Sequence, residues 1–457
     1  MRSKLLIVSH DVVGERMAGP GIRYWEMARA MSNRLGVTLL APGNAPASEG
    51  FDTGAYVWGQ WASLAPAVSQ ADVLLFSGDL LVIFPELAAC GKPLVLDIYD
   101  PHTFETLHLH AALPSAKQMA AYLDRVDILR HTALAGDFFV CASHRQRDYW
   151  LGILDAYGRA NAYNYSADPT LRALIDIVPF GLPSQPPRGR GPALKGVVPG
   201  IGRSDRVILW GGGLWEWLDP LTLVRAVGQL AARYPDIRSV FFSARHPNPD
   251  VPDMPVRRRT MALSDELGLT DKQVFFIDRW VPYEDWPAYV TEADIGASLH
   301  LDTLETHLAF RTRILDYIWA GLPMVVTGGD ETSDLVTHYG LGVVTAPQDV
   351  DAVAVALAQL LDTSDLRERY QPAFGKVRPL LEWERVCEPI VHFCQNPRLA
   401  PDRAAGVMAQ EIDPQALRRE LIECEREAQR LRTVVEGYEQ GRLIRMMKRL
   451  HDLRRGR

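Results

Sequence analysis

The densest run of potential chemistry lies between Leu304 and Thr327. Glu305, Arg311, Arg313 and Asp316 sit in a polar loop and the first turn of a helix, followed by Ala320-Gly321-Leu322-Pro323 and an apolar strand. Guanidinium groups at a helix entrance suit an anion, because the free N–H groups there already carry partial positive charge. Asp316, one turn in, suits the two hydroxyls of a ribose. A second stretch runs Gly211-Gly212-Gly213-Leu214-Trp215-Glu216-Trp217. Consecutive glycines leave backbone N–H groups open to anionic oxygens, and Trp215 and Trp217 offer stacking faces for a base or a sugar. The plainer reading is a packed aromatic loop.

A third stretch, His10 to Arg23, places Gly19, Gly21 and Arg23 where a strand turns into a helix. That geometry suits phosphate, although the pattern is not the G-x-G-x-x-G of a dinucleotide site. A fourth, Asp97-Ile98-Tyr99-Asp100-Pro101-His102-Thr103-Phe104-Glu105, follows a buried strand. Asp97, Asp100, His102 and Glu105 are its candidates for acid–base work, with Asp100 before Pro101 reading equally well as a helix cap. His108 and His110 are two apart and point to different helix faces, so no metal site is expected.

The elements that must position these residues are short apolar runs alternating with helical patterns. Strands are expected at 5–9, 37–41, 55–58, 72–76, 94–98, 138–142 and 175–179. After a Pro/Gly-rich stretch, a second set is expected at 207–210, 239–243, 274–277, 295–299, 324–327 and 343–345. Continuous apolar runs are the mark of parallel strands buried on both faces. Ile22, Trp25, Ala28, Met31 and Leu35 make the helical stripe of a βαβ unit. The expected architecture is α/β: two doubly wound Rossmann-like domains facing a cleft, residues 1–182 and 205–395. An exposed linker, 183–204, joins them, and 383–393 is expected as a helix closing the second domain. A further linker, 396–412, leads to a helical extension, 413–457. In it Leu417, Leu421, Cys424, Ala428, Leu431, Val435 and Tyr438 repeat as a heptad seam.

Composition excludes several classes. With 47% hydrophobic and 23% charged residues over 457 residues, the chain is neither disordered nor fibrous. A net charge of −7 argues against nucleic acid as a partner. Five cysteines without a C-x-x-C pair suggest reduced thiols in a cytoplasm. The apolar run in MRSKLLIVSHD is too short for a signal peptide, and no stretch is long enough to span a bilayer. Arg442 to Arg457 hold six arginines and one lysine against one aspartate, a net of +6. With Leu443, Met446, Met447, Leu450 and Leu453 on one face, this tail reads as a basic amphipathic helix for an anionic membrane surface.

Taken together, Gly19-Pro20-Gly21-Ile22-Arg23, Val178-Pro179-Phe180-Gly181, Gly211–Gly213, and Arg313-Ile314-Leu315-Asp316-Tyr317 with Ala320-Gly321-Leu322-Pro323 resemble the nucleotide-sugar-dependent glycosyltransferases of the GT-B fold, family 4 type. The last block is similar to that family's (K/R)-x-x-E-Y-x-x-x-G-x-P signature, and the resemblance spans about Lys4 to Phe393. It implies that the first-loop glycines touch the donor diphosphate and sugar. Asp316 takes the place of the family's second glutamate, on the ribose, and Glu305 stands near the first, on the donor sugar. Glu305 and Asp316 are eleven apart where the family has eight. The Arg and Lys usual after the glycine turn are replaced by Trp215, Glu216 and Trp217, leaving Arg311, Arg313 or Arg245 to supply charge. The resemblance also implies retention of anomeric configuration, no cofactor and no metal. The expected partners are a nucleotide sugar and a glycan or lipid-linked acceptor. An anionic membrane on the inner face of the plasma membrane would be met through the tail, and a second copy through the heptads. Two other readings stay open: a nucleotide-sugar epimerase on the same fold, and a non-catalytic coiled-coil scaffold with a decayed sugar site.

Overall fold

The computed structural model describes residues 2–43, 45–243, 253–407, 424, 426–433 and 435. Residues Met1–Asp402 form one compact unit and Arg403–Arg457 a second. In the second, Cys424, Ala428, Leu431 and Val435 of the heptad seam are helical and exposed. Leu417, Leu421, Tyr438 and the basic tail lie outside the described residues.

The first unit holds two wholly parallel sheets. The first comprises β1 (Lys4–Val8), β2 (Gly36–Pro42), β3 (Asp52–Tyr56), β4 (Val73–Ser77), β5 (Leu94–Asp97), β6 (Phe138–Cys141) and β7 (Ile175–Ile177), in the order β3-β2-β1-β4-β5-β6-β7. The second comprises β8 (Arg206–Trp210), β9 (Ile237–Phe242), β10 (Val274–Ile277), β11 (Ile295–Ser298), β12 (Met324–Thr327) and β13 (Gly342–Thr345), in the order β10-β9-β8-β11-β12-β13. All thirteen expected strands are present, displaced by at most a few residues. β4, β5 and β12 are buried at every position, as sheets covered on both faces by helices demand. In each sheet the order reverses once, between β1 and β4 and between β8 and β11. Open α/β sheets bind ligands beyond the carboxyl ends of the strands at such a reversal. Those ends carry the loop after Val8 in one domain and Gly211–Gly213 in the other.

Two expectations about the connections need correction. The stretch 183–204 is largely exposed to Pro192, but Ala193, Leu194 and Ile201 are buried. Glu292 draws them onto the second domain by accepting the N–H groups of Ala193, Leu194 and Lys195 at 2.7, 2.9 and 2.8 Å. The helices Trp383–Val386 and Glu388–Gln395 do not close the second domain. The chain crosses back where the Leu182 N–H donates to the Leu381 carbonyl at 2.8 Å and the Leu182 carbonyl accepts from the Trp383 N–H at 3.1 Å. Trp383 then packs on Phe180 at 4.9 Å, and Phe393 stacks on Phe138 of β6 at 5.0 Å. Asp402 ends the crossing in a fully buried ion pair with Arg159, 2.7 Å away.

The facing edges of the two domains also touch. Arg145, after β6, donates to Asp334 at 2.6 Å, and Gln146 donates to the Leu308 carbonyl at 2.9 Å. Tyr283 donates to Glu26 at 3.0 Å from the other side.

Candidate active site

The second-domain half of the site is built by β8, β11 and the helix Thr312–Ala320. Tyr317 on that helix fixes the glycine turn. Its hydroxyl accepts from the Gly211 N–H at 2.7 Å and lies 2.8 and 2.9 Å from the Leu209 and Ala297 carbonyls, to which it donates. Gly212 then adopts φ +95°, a left-handed conformation that a side chain would strain, and a Cβ there would point into open space. Gly212 and Gly213 are exposed, while Gly211 is buried.

Arg313 lies beside this turn. One guanidinium nitrogen donates to the Gly213 carbonyl at 3.1 Å, and the group sits 4.9 Å from the Trp210 ring centre. Its Nη1 is buried with no hydrogen-bond partner, and among the described residues no carboxylate pairs with it. Burial pulls its pKa down to about 10, so the group remains a cation at neutral pH. Asp316, partly buried one turn on, has its carboxyl pushed up to about 7 by burial, against the pull of the Trp286 indole and of Arg313.

Arg311 and Glu305 have a different fate. Arg311 grips both Glu305 oxygens, at 2.9 and 2.8 Å, and the pair is buried. Its Nε lies 3.6 Å from Asp330, which is also 3.2 Å from His300. With both oxygens and most of the guanidinium engaged, this pair braces the entrance to the helix Thr312–Ala320. Arg311, expected on the diphosphate, and Glu305, expected in catalysis, are thus engaged with each other in this structure.

Arg23 and Asp97 in the first domain are likewise engaged with each other. They form a buried bidentate pair at 2.7 and 3.0 Å, and Arg23 also donates to the Val178 and Pro179 carbonyls at 2.8 and 3.0 Å. The pair ties the helix Gly19–Met31 to β5 and to the strand end after β7, and keeps both charges inside. Gly21 is needed for packing: a Cβ would lie 2.3 Å from the Val12 carbonyl oxygen. Gly19 is left partly exposed at the first turn of the helix.

Asp100, His102 and Glu105 do come together. One ligand atom from each lies within 4.8 Å of the others. His102 is 3.5 Å from Glu105. Although burial opposes its charge, Glu105, Asp79 and Asp100 raise its pKa to about 9. An imidazolium therefore stands among these carboxylates at neutral pH. Burial and Glu105 hold the Asp100 carboxyl well above the usual range.

Sequence reasoning missed Asp79, His10 and Tyr283. Asp79, beyond β4, pairs with Arg125 at 2.5 Å and lies within the electrostatic reach of His102 and His10. Burial lowers the His10 pKa, and its Nδ1 has no partner. The signal for both was their place at the carboxyl ends of β1 and β4, the strands flanking the reversal. Trp215 and Trp217 stack at 5.3 Å and 7°, with Trp217 buried. Glu216 caps the helix Pro255–Glu266, accepting from the Val256 N–H at 2.5 Å. Arg245 lies outside the described residues.

Comparison with known proteins bears on the fold. Residues 205–363 match the family described as Glycosyl transferases group 1. No curated protein matches the sequence significantly. Among solved structures, sucrose-phosphate synthase from Thermosynechococcus elongatus superposes with TM-score 0.58 at 15% identity, over 86% of this chain and 98% of that one. Anabaena HepE in complex with UDP-glucose superposes with 0.59 at 16%, over 86% and 99%. The trehalose-6-phosphate synthase OtsA gives 0.62 at 14%, over 87% and 100%. The chain thus has the two-domain GT-B fold, and its residues 205–363 match the model of the group 1 glycosyl transferases.

Proposed function

We propose that the protein transfers a sugar from a nucleoside-diphosphate sugar to an acceptor hydroxyl, with retention and without a metal. One observation carries the reading: Arg313 is a buried cation with an unpartnered Nη1 and, among the described residues, no carboxylate in ion-pair contact, set against an exposed glycine turn at the strand-order reversal. A diphosphate supplies the missing charge. Arg313 and the N–H groups of Gly212 and Gly213 stabilise it as it leaves, where preorganised donors have their greatest effect. Asp316 accepts from the ribose hydroxyls. His102 and Glu105 face the transferred sugar from the first domain. In the transfer, the bond from the anomeric carbon to the phosphate oxygen breaks as the bond to the acceptor oxygen forms. The acceptor proton passes to the departing phosphate.

The acceptor class we favour is a cell-surface glycan or a lipid-linked intermediate. The tail from Arg442, outside the described residues, would hold the enzyme on an anionic membrane, and the heptads before it would pair two copies. No helix among the described residues is long and apolar enough to cross a membrane.

The test is a panel of UDP-, GDP-, ADP- and dTDP-sugars, with binding measured by calorimetry and turnover by release of the nucleoside diphosphate. UDP-glucose comes first, because it is the ligand in the HepE complex. Epimerised donor without release would instead mark an epimerase, and no binding of any donor would mark a scaffold. EDTA is expected to leave turnover unchanged. Loss of turnover that Mg²⁺ or Mn²⁺ restores would show that Asp100, His102 and Glu105 hold an ion after all.

A further inference from the structure

The loop Gly211–Trp217 does more than hold a phosphate. Its last residues leave the donor subsite and reach the first domain. The Trp215 ring lies close over the turn, since a Cβ on Gly213 would stand 3.1 Å from its indole nitrogen. Trp215 stacks on Trp217, and Trp217 meets the His108 ring edge-on at 6.4 Å. Leu109 packs against the same apolar cluster of the second domain, which includes Trp210, Leu214 and Trp217. His108 and Leu109 end the helix His102–Leu109, whose first turns carry His102 and Glu105.

The other face of the loop is equally fixed. Trp217 accepts the Leu301 N–H at 3.1 Å, and Asp219 donates to the Leu299 carbonyl at 3.0 Å. Trp217 is thus a node held by its own domain through the backbone and by the other domain through its ring. At the near end, Arg313 donates to the Gly213 carbonyl. An anion drawn to Arg313 competes for that guanidinium and lands on the N–H groups of the same turn. Trp215, two residues on, lies against that turn.

We propose that Trp217 and His108 are positioning residues: they couple occupancy of the diphosphate subsite to the placement of the helix His102–Leu109, and so bring His102 and Glu105 over the bound donor. The inference rests on the donor reading above and adds to it an order of events, in which donor binding in one domain sets the reacting groups of the other. A rigid aromatic pair carries such a coupling well, because stacked rings cannot be sheared without losing contact area.

The test needs no acceptor. Hydrogen exchange of the amides in 103–109 is followed in the full chain with and without the tightest-bound of UDP, GDP, ADP and dTDP. In the wild type the nucleotide is expected to slow exchange there by about fivefold or more, although it binds in the other domain. In His108→Ala and Trp217→Leu that slowing is lost, while the nucleotide Kd stays within about threefold, as for sites with no direct ligand contact. Trp217→Phe, which keeps an aromatic ring at the node, restores it. His108→Ala replaces a partly buried surface residue and keeps the experiment informative should Trp217→Leu unfold. Unchanged protection in His108→Ala and Trp217→Leu, or no protection in a wild type that binds nucleotide through Arg313, overturns the coupling and leaves the donor reading intact. Failure of every nucleotide to bind removes both.

Discussion

Replacing Arg313 with methionine is expected to make the unliganded protein more stable and to cost it about 100-fold or more in affinity for nucleoside diphosphate. The two effects have one cause. Burial holds the guanidinium pKa near 10, well below the usual guanidinium range, which corresponds to about 3 kcal/mol spent on keeping the cation desolvated. Methionine fills similar space without that cost. It forfeits the bond to the Gly213 carbonyl and the contact with Trp210, each worth about 1 kcal/mol, leaving a net gain of about 1 kcal/mol. In the complex, two charge-assisted bonds to phosphate at about 1.5–3 kcal/mol each are lost. Chemical denaturation with and without saturating UDP reads both effects at once. A variant that is less stable and still stabilised by UDP would show that Arg313 is an ordinary core residue.

Arg311 and Arg313 show where sequence reading stops. They are two residues apart and both were expected on the donor. Their separation comes from Ala309-Phe310, which end the short helix Leu304–Leu308 and fold the chain back so that Arg311 reaches Glu305. Arg313 falls inside the next helix, where its neighbours are Trp210 and the glycine turn. Residue type predicts a cation, but only the fold says which cation is already neutralised. Arg23 and Asp97 make the same point across 74 residues. The strands, by contrast, were readable because each is a continuous apolar run in a sheet covered on both faces. The apolar stripe of Trp383–Phe393 says that it is buried, and nothing in it says against which domain. His10 and Asp79 could have been found by asking what stands at the carboxyl ends of the two strands that flank a reversal.

Asp316→Asn is expected to stabilise the protein at pH 8, to leave it unchanged at pH 4, and to weaken nucleotide binding by about 10- to 100-fold at pH 8. The sign follows from the direction of the shift. Folding raises the carboxyl pKa from 3.8 to about 7, so the folded state disfavours the charged form. Below about pH 4 the carboxyl is protonated in both states and contributes no penalty. Stability then falls as pH rises through the window between 4 and 7, and the full penalty stands above it. A shift of that size corresponds to at most about 4 kcal/mol, and the partial exposure of Asp316 brings the gain in the variant below that ceiling. Binding runs the other way. A carboxylate accepts from both ribose hydroxyls only when ionised, so wild-type affinity should climb as pH passes 7. The phosphate titrates as well, but it does so for wild type and variant alike, so the ratio of their affinities isolates Asp316. That ratio should be near one at pH 5 and reach its full value by pH 8. A ratio independent of pH would mean that the carboxyl does not hold the ribose, and an Asn variant no more stable at pH 8 than the wild type would mean that its burial costs nothing. Both expected results together would mark Asp316 as a group kept at the expense of the fold for what it binds.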